Sequence, residues 1–211
     1  MKILNLYFQR MIKLKKELTP LLSIYMRIIS GSHKGRKILA PKNINIRPTT
    51  DKSKEALFNI LNNFFDLEEI SVLDLFSGTG SISYEFASRG VTKITAVENN
   101  YKAVNFIKRK SSELNFPVKV VRKNVLNYIN NNVEKFDFIF MDPPYSFLKD
   151  EYQKMIEIIS KNKLTEYGII IVEHSINIRL DNIKGFFESR KYGSNCFSII
   201  KKKQAYKPDS V

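Results

Sequence analysis

Residues 72–81 read VLDLFSGTGS, an apolar run that ends in a loop containing Gly78 and Gly80. Closely spaced glycines after an apolar run are typical of a strand that turns into a helix beside a ligand, because glycine has no Cβ to obstruct the approach. The following helix is expected from Ser81 to Ser88, with its first backbone amides directed at the same place. A glycine pair also occurs in ordinary turns, so this stretch alone predicts only a strand–loop–helix unit.

Strand-like and helical segments alternate on both sides of this unit. The alternation predicts an α/β fold with a doubly wound, mostly parallel sheet, because parallel strands need a crossover between them. The last two predicted strands lie close together in the chain and indicate a C-terminal antiparallel hairpin. The expected strands are Ile70–Phe76, Lys93–Val97, Val118–Val121, Phe136–Met141, Gly168–Glu173, Phe187–Tyr192 and Phe197–Lys202, and the expected helices begin near Thr50 and cover Ser81–Ser88, Tyr101–Leu114 and Lys149–Ser160.

The chain divides into three zones of different composition. Residues 1–25 form an N-terminal extension without a clear period, and residues 26–50 form a basic arm with six Lys or Arg and no acid. Glycines and prolines break the arm into short strands and turns. The α/β domain is expected over residues 51–211. Because every recognisable feature begins at Met26, that residue is also a candidate translation start.

Composition limits the partners and the compartment. The chain has 35 Lys and Arg against 21 Asp and Glu, a net charge of +14. Such an excess is typical of a polyanionic partner, either nucleic acid or an acidic membrane surface, although a basic solvated surface without a partner is the alternative. One cysteine and two histidines exclude an internal disulfide framework and argue against a zinc or iron centre, so no metal is expected. Because no apolar stretch reaches the roughly 20 residues of a membrane span, we expect a soluble, cytoplasmic protein. We also expect a monomer.

A carboxylate ends the second predicted strand of the α/β domain. Glu98 at that place can accept hydrogen bonds from both hydroxyls of a ribose. The alternative is an acid that caps the next helix beside Asn99 and Asn100. Two glycines instead of three fit a dinucleotide pyrophosphate poorly. S-adenosylmethionine, which has a ribose and an adenine but no phosphate, fits better.

The sequence Asp142–Tyr145, DPPY, directly follows the apolar strand Phe136–Met141. Two prolines fix the backbone and remove amide donors, which leaves carbonyls to accept hydrogen bonds. An aspartate and a rigid carbonyl can together accept both N–H bonds of an exocyclic amine, and an aromatic ring just beyond can stack on the base. An amine held in this way has its lone pair free to attack a sulfonium methyl in line. A plain proline turn is the structural alternative.

Together, VLDLFSGTGS, AVE at residues 96–98 and MDPPY at residues 141–145 resemble the Rossmann-like class of S-adenosylmethionine-dependent amino-methyltransferases. The stretch Met26–Leu61, with MRIISGSHKGRKILAP and RPTTDKSKEALFNIL, is similar to the bacterial 16S ribosomal RNA guanine-N2 methyltransferases of the RsmD family. The resemblance extends to about Lys203. It implies methyl transfer from S-adenosylmethionine to the exocyclic N2 of guanine 966, in standard rRNA numbering, with 16S ribosomal RNA or a small-subunit assembly particle as partner.

The resemblance also implies which residues bind the cofactor. Asp74, Gly78 and Gly80 would line its methionine moiety, and Glu98 would hold its ribose. Asn124, where many methyltransferases have an acid, would bind the adenine amino group through its side-chain carbonyl.

Other positions are implied to hold the RNA. Asp142 and Tyr145 would hold and stack the target guanine, and Pro143 would offer its carbonyl. Arg47, Thr49 and Thr50 would border the cofactor or the substrate RNA strand, although helix capping explains Thr50 about equally well. The basic residues expected to neutralise RNA phosphates are Lys34, Arg36, Lys37 and Lys201–Lys203.

Three other functions stay open at this point. A DNA adenine-N6 or cytosine-N4 methyltransferase shares the DPPY motif, but no large target-recognition insertion is visible and the arm matches the rRNA family. A non-catalytic RNA-binding or assembly protein could keep the same fold. A nicotinamide oxidoreductase is disfavoured because the third glycine and a hydride-transfer constellation are missing.

Overall fold

The computed structural model of the chain describes residues 25–41, 44 and 49–202. Almost all of the N-terminal extension lies outside these residues. The described part contains the strands β1 (Tyr25–Arg27), β2 (Lys37–Leu39), β3 (Ser71–Leu75), β4 (Lys93–Glu98), β5 (Val118–Arg122), β6 (Phe136–Met141), β7 (Leu164–Ser175), β8 (Phe186–Tyr192) and β9 (Asn195–Lys201). Its helices are α1 (Asp51–Leu61), α2 (Ser81–Ser88), α3 (Tyr101–Glu113), α4 (Val125–Asn131) and α5 (Lys149–Asn162).

Seven strands form one sheet in the order β5-β4-β3-β6-β7-β9-β8. The first five strands in this order, which are β5, β4, β3, β6 and β7, are parallel. Strand β9 pairs antiparallel with both β7 and β8. The predicted doubly wound, Rossmann-like sheet with a C-terminal hairpin is therefore confirmed. Because the chain leaves β3 in one direction and returns to its other side at β6, a crevice opens between the carboxyl ends of these two strands.

The two faces of the sheet are covered by different helices. Apolar side chains of α1, α2 and α3 pack on one face, and those of α4 and α5 pack on the other. The central strand β3 contributes side chains to both layers. Val72 packs with α1, α2 and α3, whereas Leu73 and Leu75 pack with α4 and α5. Strands with both faces buried read as continuous apolar runs, which is why β6 matched its predicted bounds.

Two elements differ from the expectation. Helix α4 was not predicted, because only seven residues form it and its end falls in an asparagine-rich stretch with low helix propensity. It forms because Val125, Tyr128 and Ile129, at helical spacing, are buried against the sheet. Strand β7 begins at Leu164 instead of Gly168, because Leu164 pairs with Phe136 ahead of a register shift.

The described part of the basic arm contains a small antiparallel hairpin of β1 and β2, in agreement with the strands and turns predicted there. Its turn packs against the C-terminal end of α2, where Ser32 N donates to Ser88 O at 2.6 Å and His33 N donates to Ser88 Oγ at 3.0 Å. A Cβ at Gly31, which has a φ of +83°, would overlap the Ser88 carbonyl, so only glycine fits there. Within the described ranges, no helix is long and apolar enough to cross a membrane.

A buried ion network joins the arm to the first two helices. Lys54 Nζ lies 3.0 Å from Glu85 Oε1, and the two side chains are 1% and 0% exposed. The same Glu85 oxygen accepts the Ile29 amide at 2.8 Å, and Arg89 pairs with the other oxygen. Removing one partner would leave a buried charge, at a cost of about 3–5 kcal/mol. The network thereby fixes the start of α1 against α2 and the arm.

Candidate active site

A cavity of about 770 Å³ lies at the carboxyl ends of the central strands. Its volume is that of a typical small-molecule site, roughly 300–1,000 Å³. The start of α1, the loops after β3, β4 and β6, the end of β7 and the turn between β8 and β9 all contribute to its wall. The sequence-predicted residues that it brings together are Thr49, Thr50, Gly78, Glu98, Asp142, Pro143 and Tyr145.

The loop after β3 forms one wall of this cavity. Ser77 ties it to β4, because its backbone amide and its hydroxyl both donate to Val97 O, at 3.1 and 3.0 Å. Gly78 has a φ of +56° and lines the cavity. Gly80 has a φ of +81°, and a Cβ there would lie 2.9 Å from the Tyr84 ring, so the packing of α2 itself requires this glycine. Only Gly78 of the two is part of the cavity wall.

Phe76, in the same loop, was missed by the sequence analysis. It has a φ of +60°, which is an outlier for a bulky side chain. Such strain persists where the surrounding structure imposes it, commonly at functional sites. Phe76 lines the cavity and contacts the ring of Phe147 edge-on at 5.6 Å. An apolar residue before the glycines carried no signal of this conformation.

Glu98 lines the cavity with its carboxylate held by the backbone. Oε2 accepts the Gly78 amide at 2.9 Å, and Oε1 accepts the amides of Asn99 and Asn100, both at 2.8 Å. The cap of α3 is instead the Asn100 side chain, which accepts from Lys102 N and Ala103 N. Each carboxylate oxygen has two lone pairs, so the three amides orient Glu98 and leave one acceptor position, on Oε2, for a ligand.

Asp74 lies beneath the glycine loop and is 2% exposed. Its Oδ2 accepts from Ser83 Oγ at 2.6 Å and from Ser83 N at 3.2 Å. Burial outweighs these two hydrogen bonds and raises the pKa of Asp74 from 3.8 to about 7. The side chain lines a small recess of about 30 Å³, whose wall shares Phe76, Gly78 and Asp142 with the main cavity.

Asp142 directly follows β6, and Glu173 lies near the end of the adjacent strand β7. Burial, and then the nearby carboxylates of Glu173 and Asp74, raise the pKa of Asp142 well above its usual value. Glu173 is 6% exposed, lines the cavity, and accepts a hydrogen bond from Asn195 Nδ2 at 2.6 Å. Glu173 was not among the predicted site residues, although its place at the end of a predicted strand was a usable signal.

The DPPY turn combines a buried and an exposed part. Pro143 is buried, and the Pro144 carbonyl accepts the Phe147 amide at 2.9 Å, which closes the turn. Tyr145 lines the cavity with 68% of its surface exposed. An aromatic ring with a free face at a cavity mouth can stack on a nucleobase.

Acidic side chains lie inside the cavity and basic side chains lie at its mouth. Although the chain carries +14 overall, four acids lie at the cavity and its recess. They are Asp74, Glu98, Asp142 and Glu173, called here the cavity acids. Two exposed lysines, Lys52 and Lys191, also line the cavity and are called here the rim lysines. The cavity acids favour a cationic ligand inside, and the rim lysines favour an anionic one at the mouth. Among the side chains that the structure describes, no three His, Cys, Asp or Glu are grouped to hold a metal ion.

Several predicted residues lie away from this cavity. Asn124 is exposed and caps α4, with its side-chain oxygen accepting the Asn127 amide at 3.2 Å. The three arm residues Lys34, Arg36 and Lys37, called here the basic turn, are exposed near the C-terminal end of α2. The cavity lies at the other end of this helix, whose eight residues span about 12 Å. Arg47 and Lys203 lie outside the described residues.

Comparisons with known proteins agree with this architecture. The sequence profile of a family described as conserved hypothetical protein 95 matches residues 26–201. Ribosomal RNA small subunit methyltransferase D of Buchnera aphidicola is 33% identical over 164 residues, covering 76% of this chain and 81% of the relative. The protein of the same name from Haemophilus influenzae is 33% identical over 165 residues, covering 76% and 84%. The chain belongs to the RsmD family of Rossmann-like methyltransferases.

A solved structure shows the same fold beyond the RsmD family. The T. thermophilus 16S rRNA N2 G1207 methyltransferase (RsmC), in complex with AdoMet and guanosine, matches with a TM-score of 0.69 at 17% identity. The matched region covers 86% of this chain and 50% of RsmC. The RsmD-family profile itself runs from β1 to the end of β9, and so includes both the arm and the whole sheet.

Proposed function

We propose that this RsmD-family methyltransferase transfers a methyl group from S-adenosylmethionine to the exocyclic N2 of a guanine in 16S ribosomal RNA. The observation that carries the proposal is a single cavity lined by Glu98 on one side and by Asp142 and Tyr145 on the other. One cavity thus offers acceptors for a ribose and acceptors for an amine. The relatives named as small-subunit rRNA methyltransferases support the RNA substrate.

The cavity acids fit the cofactor. S-adenosylmethionine has a cationic sulfonium and an ammonium group, which suit carboxylates, and a ribose, which suits the oriented Glu98. When bound, it supplies the methyl group on a good leaving group. Asp74 and Gly78 would lie nearest its methionine part, and binding of its adenine by Asn124 stays a prediction.

Asp142 has two roles in this proposal. Its carboxylate and the Pro143 carbonyl accept the amine N–H bonds and thereby direct the nitrogen lone pair towards the methyl group. An amine that gains a methyl group must lose a proton, and the Asp142 carboxylate would accept it. Because the pKa of Asp142 is raised, its ionised form is a stronger proton acceptor than an ordinary aspartate.

The RNA would be held by stacking and by phosphate contacts. Tyr145 stacks on the extruded base, and the rim lysines neutralise the phosphates beside it. The basic turn contacts RNA further from the reacting atoms. In this proposal the protein acts as a cytoplasmic monomer on 16S rRNA or on a small-subunit assembly particle.

Mapping the methyl group tests the proposal. Ribosomal RNA from cells with and without the protein is digested by nucleases and analysed by mass spectrometry. We expect one N2-methylguanosine of 16S rRNA to disappear with the protein and to return with the wild type but not with Asp142→Ala. Loss of a methylated adenine or cytosine would support another amino-methyltransferase. Unchanged methylation of all bases, together with no binding of S-adenosylmethionine, would support a non-catalytic RNA-binding protein.

A further inference from the structure

Asp142 and Glu173 lie side by side at the edge of the sheet. Met141 and Val172 form the last residue pair between β6 and β7. Asp142 directly follows Met141, and Glu173 is the next residue of β7 after Val172. Neighbouring strands are about 4.8 Å apart, so the two acids begin from adjacent backbone positions. Both line the same cavity. A base whose amine is held by Asp142 therefore presents the neighbouring part of its edge to Glu173.

The carboxylate of Glu173 is fixed in place by a third strand. Asn195 begins β9, pairs with Ser175 of β7, and donates its Nδ2 to Glu173 Oε1 at 2.6 Å. Placing a second carboxylate beside Asp142 is electrostatically unfavourable: burial raises the pKa of Asp142 most, and the charge of Glu173 raises it further. Groups held against such a cost cluster at functional sites, where a ligand relieves it.

The methylatable bases differ in the atom next to their amine. In guanine, the N2 amine has N1–H, a hydrogen-bond donor, on its Watson–Crick side and N3, an acceptor, on its other side. On the Watson–Crick side, the N6 amine of adenine adjoins N1 and the N4 amine of cytosine adjoins N3, and both of these atoms are acceptors. A carboxylate on the Watson–Crick side of the held amine therefore attracts guanine and repels the lone pairs of the other two bases.

We infer that Glu173 determines the base specificity of this enzyme by accepting a hydrogen bond from guanine N1–H, next to the amine held by Asp142. Asn195 is a positioning residue that holds Glu173 in this orientation. The inference rests on the proposed function and adds to it the reason why guanine is chosen among the amine-bearing bases. It assigns to the end of β7 a role that the DPPY motif alone does not supply.

The test uses 2-aminopurine, which keeps the N2 amine but has an acceptor at N1. Small-subunit particles are reconstituted with 16S rRNA that carries either guanine or 2-aminopurine at the position mapped above. The kcat/KM for methyl transfer is measured on both substrates for the wild type, Glu173→Gln and Asn195→Ala. The matched control is Glu69→Gln, which changes an exposed acid next to the opposite end of β3.

We expect the wild type and Glu69→Gln to prefer guanine by about 10- to 100-fold, the usual discrimination of a good base contact. Glu173→Gln should bring this ratio to within a few-fold of one, because an amide can accept from guanine N1–H or donate to the N1 of 2-aminopurine. Asn195→Ala should lower the ratio by a smaller factor. A merely structural role would lower both activities and leave their ratio unchanged.

The outcomes separate this inference from the proposed function. If the wild type methylates guanine and Glu173→Gln has the wild-type ratio, Glu173 does not read the base, while the function stands. A wild type that prefers 2-aminopurine would also overturn the inference. If the wild type leaves guanine particles unmethylated, the proposed function fails, and the inference fails with it.

Discussion

The two sides of the cavity hold their carboxylates by different means. On the side of β3 and β4, Glu98 is oriented by three backbone amides at 2.8–2.9 Å. On the side of β6 and β7, Asp142 is enclosed by burial and by the carboxylates of Glu173 and Asp74, which raise its pKa. The first arrangement is complete before a ligand binds. The arrangement around Asp142 is unfavourable until a ligand donates hydrogen bonds to it, and it therefore favours a substrate that has N–H groups.

The largest effect is expected on the side of Asp142. Asp142→Ala should lower kcat by roughly 10²–10⁴-fold, the usual contribution of a positioned acid or base, measured at saturating RNA and cofactor. Calorimetry should show cofactor affinity close to that of the wild type, because cofactor contacts come mainly from the other side of the cavity. Near-normal turnover would contradict the mechanism proposed here.

Asp142→Asn sharpens the same comparison. Its side-chain carbonyl can still accept one hydrogen bond from the amine, but it cannot take up the released proton. We expect activity between those of the wild type and Asp142→Ala, since charge-assisted hydrogen bonds are roughly twice as strong as neutral ones. Equal activity of the two variants would mean that charge, and not hydrogen bonding, accounts for the whole contribution.

Glu98 should behave in the opposite way. Glu98→Ala should weaken S-adenosylmethionine binding by about 1.5–3 kcal/mol, the value of a hydrogen bond to a charged group. At saturating cofactor, kcat should change little, because the ribose is remote from the reacting atoms. The control is Glu134→Ala, an exposed acid outside the cavity wall. Unchanged affinity in calorimetry would remove Glu98 from the cofactor site.

Asp74 predicts how cofactor discrimination depends on pH. Because the pKa of Asp74 is about 7, its negative charge increases as the pH rises through neutrality. S-adenosylmethionine has a sulfonium charge that S-adenosylhomocysteine lacks. The affinity for S-adenosylmethionine, divided by that for S-adenosylhomocysteine, should therefore increase from about pH 6 to about pH 8. Asp74→Asn should reduce this increase. A pH-independent ratio in the wild type would show that Asp74 does not interact with the sulfonium.

The same residue predicts a change in stability. Between about pH 4 and pH 7 the folded chain keeps a proton on Asp74 that the unfolded chain has lost, since burial raises the pKa from 3.8 to about 7. A native state that binds more protons loses stability as the pH rises. The free energy of unfolding of the wild type, from urea titrations, should therefore fall relative to Asp74→Asn across this window. A constant difference would contradict the raised pKa.

Sequence patterns predicted the parallel core better than the surface that surrounds the cavity. Apolar runs and helical spacing are local, so β6 and α2 matched their predicted bounds. Since motifs follow strand ends, Glu98 and Asp142 were also found. Glu173, the last residue of a predicted strand, could have been selected in the same way. The turn around Gly193 reaches the cavity only because β9 inserts between β7 and β8, a non-local pairing with no sequence period. Charge counts likewise identified a basic arm but not its position.

The smallest effect separates two groups of basic residues that composition alone cannot distinguish. The rim lysines line the cavity, whereas the basic turn lies near the far end of α2. Neutralising either group should make the slope of log RNA affinity against log salt concentration less steep. The slope should change by roughly 0.7–0.9 for each phosphate that the protein no longer neutralises. Only Lys52→Gln with Lys191→Gln should also lower kcat, because phosphates beside the reacting base set its orientation. Lys34→Gln, Arg36→Gln and Lys37→Gln together serve as the matched variant. If this triple variant alone changed the salt slope, the RNA would bind along the arm and the rim lysines would have no part in holding it.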